Sequence, residues 1–436
     1  MRIHKFILFI CSIFIITSSA FAQEKLTIEE AIETGIKNNY DIAIGTNGAK
    51  IAANNNNLGN AGMLPVVDIN ASTNFGNNAL KQQFNSGLSI EKKGAKSSNV
   101  GAGVYLTWTL FNGLKMFATH DQLSSLEAIG KLSSKIQIEN TLESIIVNYY
   151  NIVKQKQLIS GIRENMKISD ERLLVAQKRL DVGAGSKLDV LQAKTDKNAQ
   201  TSSLYRENTN LEAYKATLNQ QLARPVETTF DVNDSIPISF QLNYDDLKTS
   251  YLKSNLNFLY ANENNVLAKQ QLRGTKSDLF PIINFNANYL FSRTENQAGQ
   301  ILLNRSLGFN YGFTASWRIF NGFTLNNRIK NAQLQVENAS YTVSNLQLQL
   351  QQQLLTAFKT YQDDQKILSL EEENMKLVKE TVNIALERFK IGSSNTLELQ
   401  QIQQIYEDAL TRLVNARYNG KVSETELMKL NGSLLK

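Results

Sequence analysis

The chain has 436 residues, 46 of them basic and 40 acidic, and its formal net charge is only +6. The charges of both signs are interspersed, which does not favour a nucleic-acid-binding protein. One cysteine and two histidines are too few for a metal centre or a cysteine-based active site, and no G-x-S-x-G elbow or Walker loop occurs. We therefore expect no metal, no cofactor and no enzymatic activity.

Residues 1–22 predict a secretory signal peptide. Two basic residues precede an apolar run from Phe6 to Ile16, and Ala20-Phe21-Ala22 is an A-x-A cleavage site. The run is shorter than the ~20 apolar residues that a transmembrane helix needs. The only cysteine, Cys11, lies in this segment, so the mature chain would have no disulfide and no cysteine for a lipid anchor. No later stretch is apolar enough to be a transmembrane helix, so entry into a membrane would require a β-barrel.

A six-residue segment occurs twice: W-T-L-F-N-G at 108–113 returns as W-R-I-F-N-G at 317–322. The segment that begins at Leu26 similarly matches the one that begins at Leu242, which predicts an internal duplication. The first copy has seven additional residues before its tryptophan, and we expect them in a loop between two strands. The predicted boundaries are 23–225 for the first repeat, 226–241 for an inter-repeat linker and 242–436 for the second repeat.

Each repeat predicts two strands in which apolar residues alternate with polar residues or glycine. The apolar positions run from Val67 to Phe75 and from Val100 to Leu110, and again from Ile283 to Phe291 and from Leu307 to Ile319. A half-buried sheet of a soluble sandwich would show the same alternation. Lengths of about 9–13 residues and aromatic residues near the strand ends favour a membrane barrel. Since four strands cannot close a barrel, we expect several subunits to share one. The expected membrane-interface aromatics are Trp108, Phe111, Trp317 and Phe320.

Helical periodicity follows each F-N-G for almost seventy residues. It predicts long helices at 114–181 and 323–390, each ~100 Å long at about 1.5 Å per residue, with Asn112 and Asn321 as caps. Two shorter helices stacked end to end match one long helix, so each repeat predicts two parallel columns about 100 Å tall. The shorter helices are predicted at 27–62, 187–222, 243–278 and 396–430.

The duplicated W-x-[LI]-F-N-G junction, the turns within 179–193 and 388–402, and N-A-R-Y-N at 415–419 resemble those of the TolC-like outer-membrane efflux family. The resemblance covers residues 26 to about 432. It implies an α+β membrane protein, a homotrimer that shares a 12-stranded outer-membrane β-barrel and a 12-helix α-barrel in the periplasm. It also implies a passive exit duct of a tripartite efflux or type I secretion system. The partners would be a periplasmic adaptor, an inner-membrane pump and outer-membrane lipid. A periplasmic helical scaffold without a channel remains the alternative.

The resemblance implies two kinds of site residue at the turns after the long helices. Docking of the adaptor is expected at Val182, Gly183, Ser186, Leu188, Ile391, Gly392, Ser394 and Leu397. An acidic gate is expected at Asp189 and Glu398, with Gln401 where the family often has a second acid and Ser394 where some members have arginine. The alternative is a purely structural role, in which the glycines end helices and the acids favour helix N-termini.

Overall fold

The computed structural model describes residues 24–239, 241–298 and 301–435, and the predicted signal peptide lies outside them. None of the helices in these ranges combines the length and the apolar character needed to cross a membrane. The chain divides into two compact units. Unit 1 comprises Met1–Gly45, Ser134–Leu256 and Gln347–Lys436, and unit 2 comprises Thr46–Ser133 and Asn257–Leu346.

The helices and strands alternate in the same order in the two halves of the chain. In the first half they are β1 (Glu24–Leu26), α1 (Ile28–Asn38), α2 (Tyr40–Asn55), β2 (Val66–Gln83), β3 (Ser89–Asn112), α3 (Lys115–Asp181) and α4 (Lys187–Gln221). In the second half they are β4 (Phe230–Val232), α5 (Tyr244–Ser254), α6 (Leu256–Ser277), β5 (Ile282–Asn296), β6 (Leu303–Ser316), α7 (Thr324–Lys390) and α8 (Thr396–Leu430).

Unit 2 contains a four-stranded antiparallel sheet in the order β2-β3-β5-β6. Directly opposed residues share a face of a sheet. Trp108 therefore lies on the same face as Phe285, its partner, and Phe313, which is opposed to Phe285 at a ring distance of 5.3 Å. Asn284, with its partners on both sides, lies on the other face. The sheet thus has one aromatic and apolar face and one polar face.

Two predictions about these strands were wrong. The strands have 14 to 24 residues rather than 9–13, and β6 ends at Ser316, so Trp317 and Ile319 lie beyond it. The seven additional residues of the first half do not enlarge a loop. The connecting segments, 84–88 and 297–302, are both short, and the first hairpin instead has longer strands. Alternation of apolar and polar residues identifies the part of a strand that has an apolar face. Where a strand continues with polar residues on both faces, the sequence does not alternate and the extension is missed.

The predicted helices at 27–62 and 243–278 are each interrupted by an asparagine. Asn39 has an extended backbone (ψ 130°), and its Oδ1 accepts the N–H groups of Asp41 and Ile42 at 2.9 and 3.2 Å, so it caps α2. Its Nδ2 donates to the carbonyl of Gln221, the last residue of α4, at 2.7 Å. Asn255 has the same extended backbone and donates to the last carbonyl of α8, that of Leu430, at 3.1 Å. Each break thus satisfies a carbonyl that a helix end leaves open.

The two long helices begin and end within a residue of the predicted positions, and each has 67 residues. The predicted caps are confirmed, since Oδ1 of Asn112 accepts the N–H of Met116 at 3.1 Å and Oδ1 of Asn321 accepts that of Leu325 at 3.3 Å. Gly113 lies between cap and helix with φ +67°, and a Cβ there would be 2.3 Å from the carbonyl oxygen of Ser277. Only glycine therefore fits this turn.

Unit 1 is held together by a heptad seam and a small sheet. Buried residues of α7 recur at alternating spacings of three and four, typical of a coiled coil, and the five nearest its C-terminal end pack against buried residues of α8. They are Leu350, Leu354, Ala357, Tyr361, Met375, Val378, Val382, Ala385 and Phe389. The segment predicted as a linker contains β4, which pairs in parallel with β1. Phe230 and Val232 of β4 are buried against Ile145 and Tyr149 of α3.

Candidate functional site

The predicted interface aromatics lie at the end of the sheet where the long helices begin. Trp108, Trp317 and Phe320 are 41%, 61% and 72% exposed, and Phe111 is half-buried. The indole N–H of Trp108 donates to the carbonyl of Met63, and that of Trp317 donates to the carbonyl of Leu279, both at 3.0 Å. Each indole therefore has its polar atom satisfied while its ring is free to contact an apolar environment.

Both long helices end in a Schellman motif at the predicted turn glycines. Gly183 has φ +76° and Gly392 has φ +85°, the left-handed conformation that glycine favours. In the first turn the N–H of Ala184 donates to the carbonyl of Arg179 at 2.8 Å, and in the second the N–H of Ser393 donates to that of Arg388 at 2.9 Å. The structural role of these glycines as helix ends is thus confirmed.

The returning helices begin with side-chain caps at the same turns. The hydroxyl of Ser186 accepts the N–H of Leu188 at 3.1 Å, and Oδ1 of Asn395 accepts the N–H of Glu398 at 2.8 Å. Ser186, predicted as a docking residue, therefore also caps α4. Backbone hydrogen bonds and side-chain caps thus define two helix ends and two helix starts within a few residues.

Four large apolar side chains project from the two turns. Val182 is 77% exposed and Leu188 70%, while Ile391 is 79% and Leu397 56% exposed. A Cβ at Gly183 would meet no atom within 4 Å, so the surface around it is open. Several exposed apolar side chains on neighbouring turns are typical of a surface that another protein covers. We call these four residues the tip patch.

The three predicted gate residues differ in their exposure and in their polar partners. Oε1 of Glu398 pairs with Nη1 of Arg388 at 2.8 Å, and its Oε2 accepts the hydroxyl of Ser394 at 2.9 Å. Asp189 is half-buried in the first turn of α4 and has no ion-pair partner among the described residues. Gln401 is exposed on α8. The negative charge of Glu398 is therefore offset within its own turn, whereas that of Asp189 is not.

Sequence reasoning did not find the contacts that join the two turns. The guanidinium of Arg179 lies over the ring of Phe389, 4.8 Å from its centroid, and donates to the Phe389 carbonyl. Lys390 pairs with Glu171 of α3 at 2.8 Å. A hint exists in the sequence, because an arginine stands four residues before the turn glycine in both copies. The pairing itself depends on tertiary structure that periodicity does not reveal.

A buried polar cluster lies farther along the same helices. Arg172 is 1% exposed, and it donates to Asp196 of α4 and to Oε1 of Gln403 of α8, the latter at 2.9 Å. Gln403 in turn donates to Ser169 at 2.9 Å and to Asn165 at 3.3 Å. A cavity of about 410 Å³ adjoins the cluster. The helical hairpin α3–α4 therefore meets α8 partly through buried polar groups.

Comparison with known proteins gives consistent results. The family model described as "Outer membrane efflux protein" matches residues 33–224 and 249–433. The outer membrane efflux protein BepC of Brucella suis biovar 1 is 20% identical over 337 residues, 76% of this chain and 72% of BepC. The outer membrane protein TolC of Escherichia coli K12 is 20% identical over 377 residues, 79% of this chain and 74% of TolC. The CmeC outer membrane channel of Campylobacter jejuni superimposes with a TM-score of 0.79 at 15% identity, covering 93% of this chain and 85% of CmeC. This chain therefore has the fold of such channels.

Proposed function

Because the chain belongs to the outer membrane efflux protein family, we propose that it is the passive exit duct of a tripartite efflux or type I secretion system. Its place is the cell outer membrane, and substrate would pass through it from an inner-membrane pump and a periplasmic adaptor to the outside. The observation that carries the proposal is the match of the family model to both halves of the chain, joined to a sheet with one apolar and one polar face. A periplasmic scaffold without a channel would not require a sheet with an exposed apolar face.

Closure of the duct requires other copies of the chain. The sheet has four strands, and its outer strands β2 and β6 each have one neighbour among the described residues, so three copies would supply 12 strands. A stripe of exposed apolar residues with heptad spacing on α7 supports helix packing between copies. It consists of Leu334, Tyr341, Leu348 and Leu355, which are 43% to 70% exposed. The proposed assembly is a homotrimer with a shared β-barrel in lipid and a 12-helix tunnel in the periplasm, built from an internally duplicated chain.

The tip patch is the proposed docking surface for the adaptor. Its four apolar side chains are exposed on turns whose backbone is fixed by caps at both sides, which supports recognition by the helical ends of a partner. The hydroxyl of Ser394, a residue predicted to dock the adaptor, donates to Glu398 and is therefore less available to a partner. Asp189 is the stronger candidate for a charged gate residue, because Glu398 is already paired with Arg388.

Reconstitution of the purified full-length protein in planar bilayers tests the proposed function. A duct gives discrete conductance steps, and Asp189→Asn should lower its selectivity for cations because a ring of carboxylates attracts them. Asp181→Asn, which removes an exposed carboxylate just before the turn, is the matched control. If the wild-type protein gives no conductance and is recovered from the periplasm rather than the outer membrane, the duct is refuted in favour of the scaffold.

A further inference from the structure

The end of the sheet nearest the long helices contains a polar cavity that the proposed duct function does not explain. It has a volume of about 420 Å³ and lies within unit 2, among the ends of β3, β5 and β6, the end of α6 and the first turns of α3 and α7. We call it the junction cavity. A volume of this size is sufficient for a small organic molecule.

The charges around the junction cavity are unbalanced. Its charged side chains are Lys115, Arg318 and Arg328 against a single carboxylate, Asp278. Oδ1 of Asp278 pairs with Lys115 at 2.9 Å, and its Oδ2 pairs with Arg328 at 3.1 Å. Arg318 is exposed and has no carboxylate within 4.0 Å among the described residues. A structural role in joining α3, α6 and α7 accounts for the two ion pairs but leaves Arg318 unexplained.

The helix starts at the cavity add to the positive potential. α3 begins at Lys115 and α7 at Thr324, and neither has an acidic residue in its first turn. A helix N-terminus carries about half a positive charge, so a cation such as Lys115 is unfavourable there and an anion is favourable. Asp278 offsets only part of the positive charge of Lys115, Arg328 and the two helix starts, and a bound anion would offset more of it.

The cavity also lies on one defined side of the sheet. Its strand residues include Thr109 and Ser316, which share the polar face with Asn284. The apolar face, with Trp108 and Phe285, is the opposite one. A lipid molecule that contacts the apolar face would therefore not reach the cavity directly, whereas a solute moving along the polar face would.

We infer that the junction cavity is a binding site for organic anions and that the exported substrates include molecules carrying a phosphate, sulfonate or carboxylate group. Arg318 and Arg328 present planar guanidinium groups that bind such groups through paired hydrogen bonds. Phe280 and Leu325 line the same cavity and would contact an apolar part of the molecule. The substrate class rests on the proposed duct, but binding to the cavity does not.

The experiment measures binding of 1-naphthyl phosphate to the purified full-length protein by isothermal titration calorimetry, with neutral 1-naphthol as the comparison ligand. Arg318→Gln and Arg328→Gln should each weaken binding of the phosphate roughly tenfold or more, since a hydrogen bond to a charged group contributes about 1.5–3 kcal/mol. Lys330→Gln is the matched control, because Lys330 is exposed on α7 near Arg328 but does not line the cavity. This variant should bind naphthyl phosphate within about twofold of the wild-type affinity.

Each outcome has a definite meaning. Equal binding by all variants, or equal binding of naphthol and naphthyl phosphate, would overturn the anion site. A phospholipid that co-purifies with the wild type, is lost in both arginine variants and is not displaced by naphthyl phosphate would identify membrane lipid as the ligand and overturn the solute assignment. Binding without any block of single-channel current would overturn a site on the substrate path. Absence of current from the wild type would refute the duct itself, whereas the calorimetric result would still decide the site.

Discussion

Glu139 is a buried carboxyl group, and replacing it with a neutral side chain should stabilise the protein at alkaline pH. It lies on α3 and is only 2% exposed, and its Oε1 has no hydrogen-bond partner in the described part of the chain. Burial raises the pKa of the carboxyl from its ordinary value of 4.5 to about 7, with Lys429 acting in the opposite direction and Glu143 adding to the increase. At pH 8 the folded protein must therefore keep a buried, incompletely bonded carboxylate in its ionised form.

The direction and the size of the pH effect on stability follow from the difference between the folded-state and unfolded-state pKa of Glu139. Because the folded-state pKa is above the unfolded one, the folded state binds the extra proton between about pH 4.5 and about 7. Stability is therefore highest below the unfolded pKa and is lost as the pH rises through the folded pKa. At about 1.36 kcal/mol per pH unit, the loss over this window amounts to roughly 3 kcal/mol per chain. Above about pH 7 the loss is complete and changes no further.

The assay is thermal unfolding of the purified protein, followed by the circular dichroism of its helices at pH 5 and pH 8. Glu139→Gln should raise the midpoint at pH 8 and change it little at pH 5, since the amide is neutral at both. Glu127→Gln is the control, because Glu127 lies on the same helix away from Glu139 and pairs with Lys131 at 2.5 Å, so its loss should give no gain at pH 8. The same pH dependence in wild type and Glu139→Gln would refute the reasoning.

Three other substitutions test the proposed membrane face, docking turn and gate. Phe285→Arg should prevent trimer formation on heat-modifiable gels, because arginine on the lipid face costs about 2–4 kcal/mol, whereas Asn286→Arg should be tolerated; equal tolerance would contradict the barrel. Gly183→Val should abolish export but leave trimers in the membrane, and normal export would exclude this turn as the docking point. Glu398→Gln frees Arg388 and should reduce cation selectivity in bilayers without loss of trimer, since a helix-end acid contributes only about 0.3–1 kcal/mol. Unchanged selectivity would leave Glu398 with a capping role alone.

The parts of the fold that sequence reasoning predicted are those with long, regular patterns. The two 67-residue helices, their asparagine caps and the turn glycines were predicted because helical period, cap chemistry and glycine conformation agree there. The breaks at Asn39 and Asn255 were missed because a single extended residue hardly disturbs the apolar period on either side. β4 was missed because three residues carry no period, and its partner β1 lies two hundred residues earlier in the chain.

The candidate site was predictable in composition but not in pairing. The acids and glycines after the long helices follow from motif and turn chemistry. That Glu398 is paired with Arg388, while Asp189 has no ion-pair partner among the residues that the structure describes, depends on side-chain geometry within each turn. The junction cavity was not predicted at all, since Lys115 is far in sequence from Arg318 and Arg328 and meets them only where strands and helices come together.

The longer first hairpin has a consequence for how this chain can vary. Before Ser97, β3 has only β2 as a strand neighbour among the described residues, so 77–83 and 89–96 form a two-stranded ribbon that extends roughly 23 Å at ~3.3 Å per residue. Its exposed pair Lys81–Glu91, at 3.2 Å, places charges along both edges and discourages strand addition from other molecules. A ribbon of this kind bears little of the packing of the sheet. The ribbon could therefore be shortened or lengthened without disturbing the four-stranded sheet. A peptide epitope inserted in its turn would label the molecule without altering the register that the other strands share.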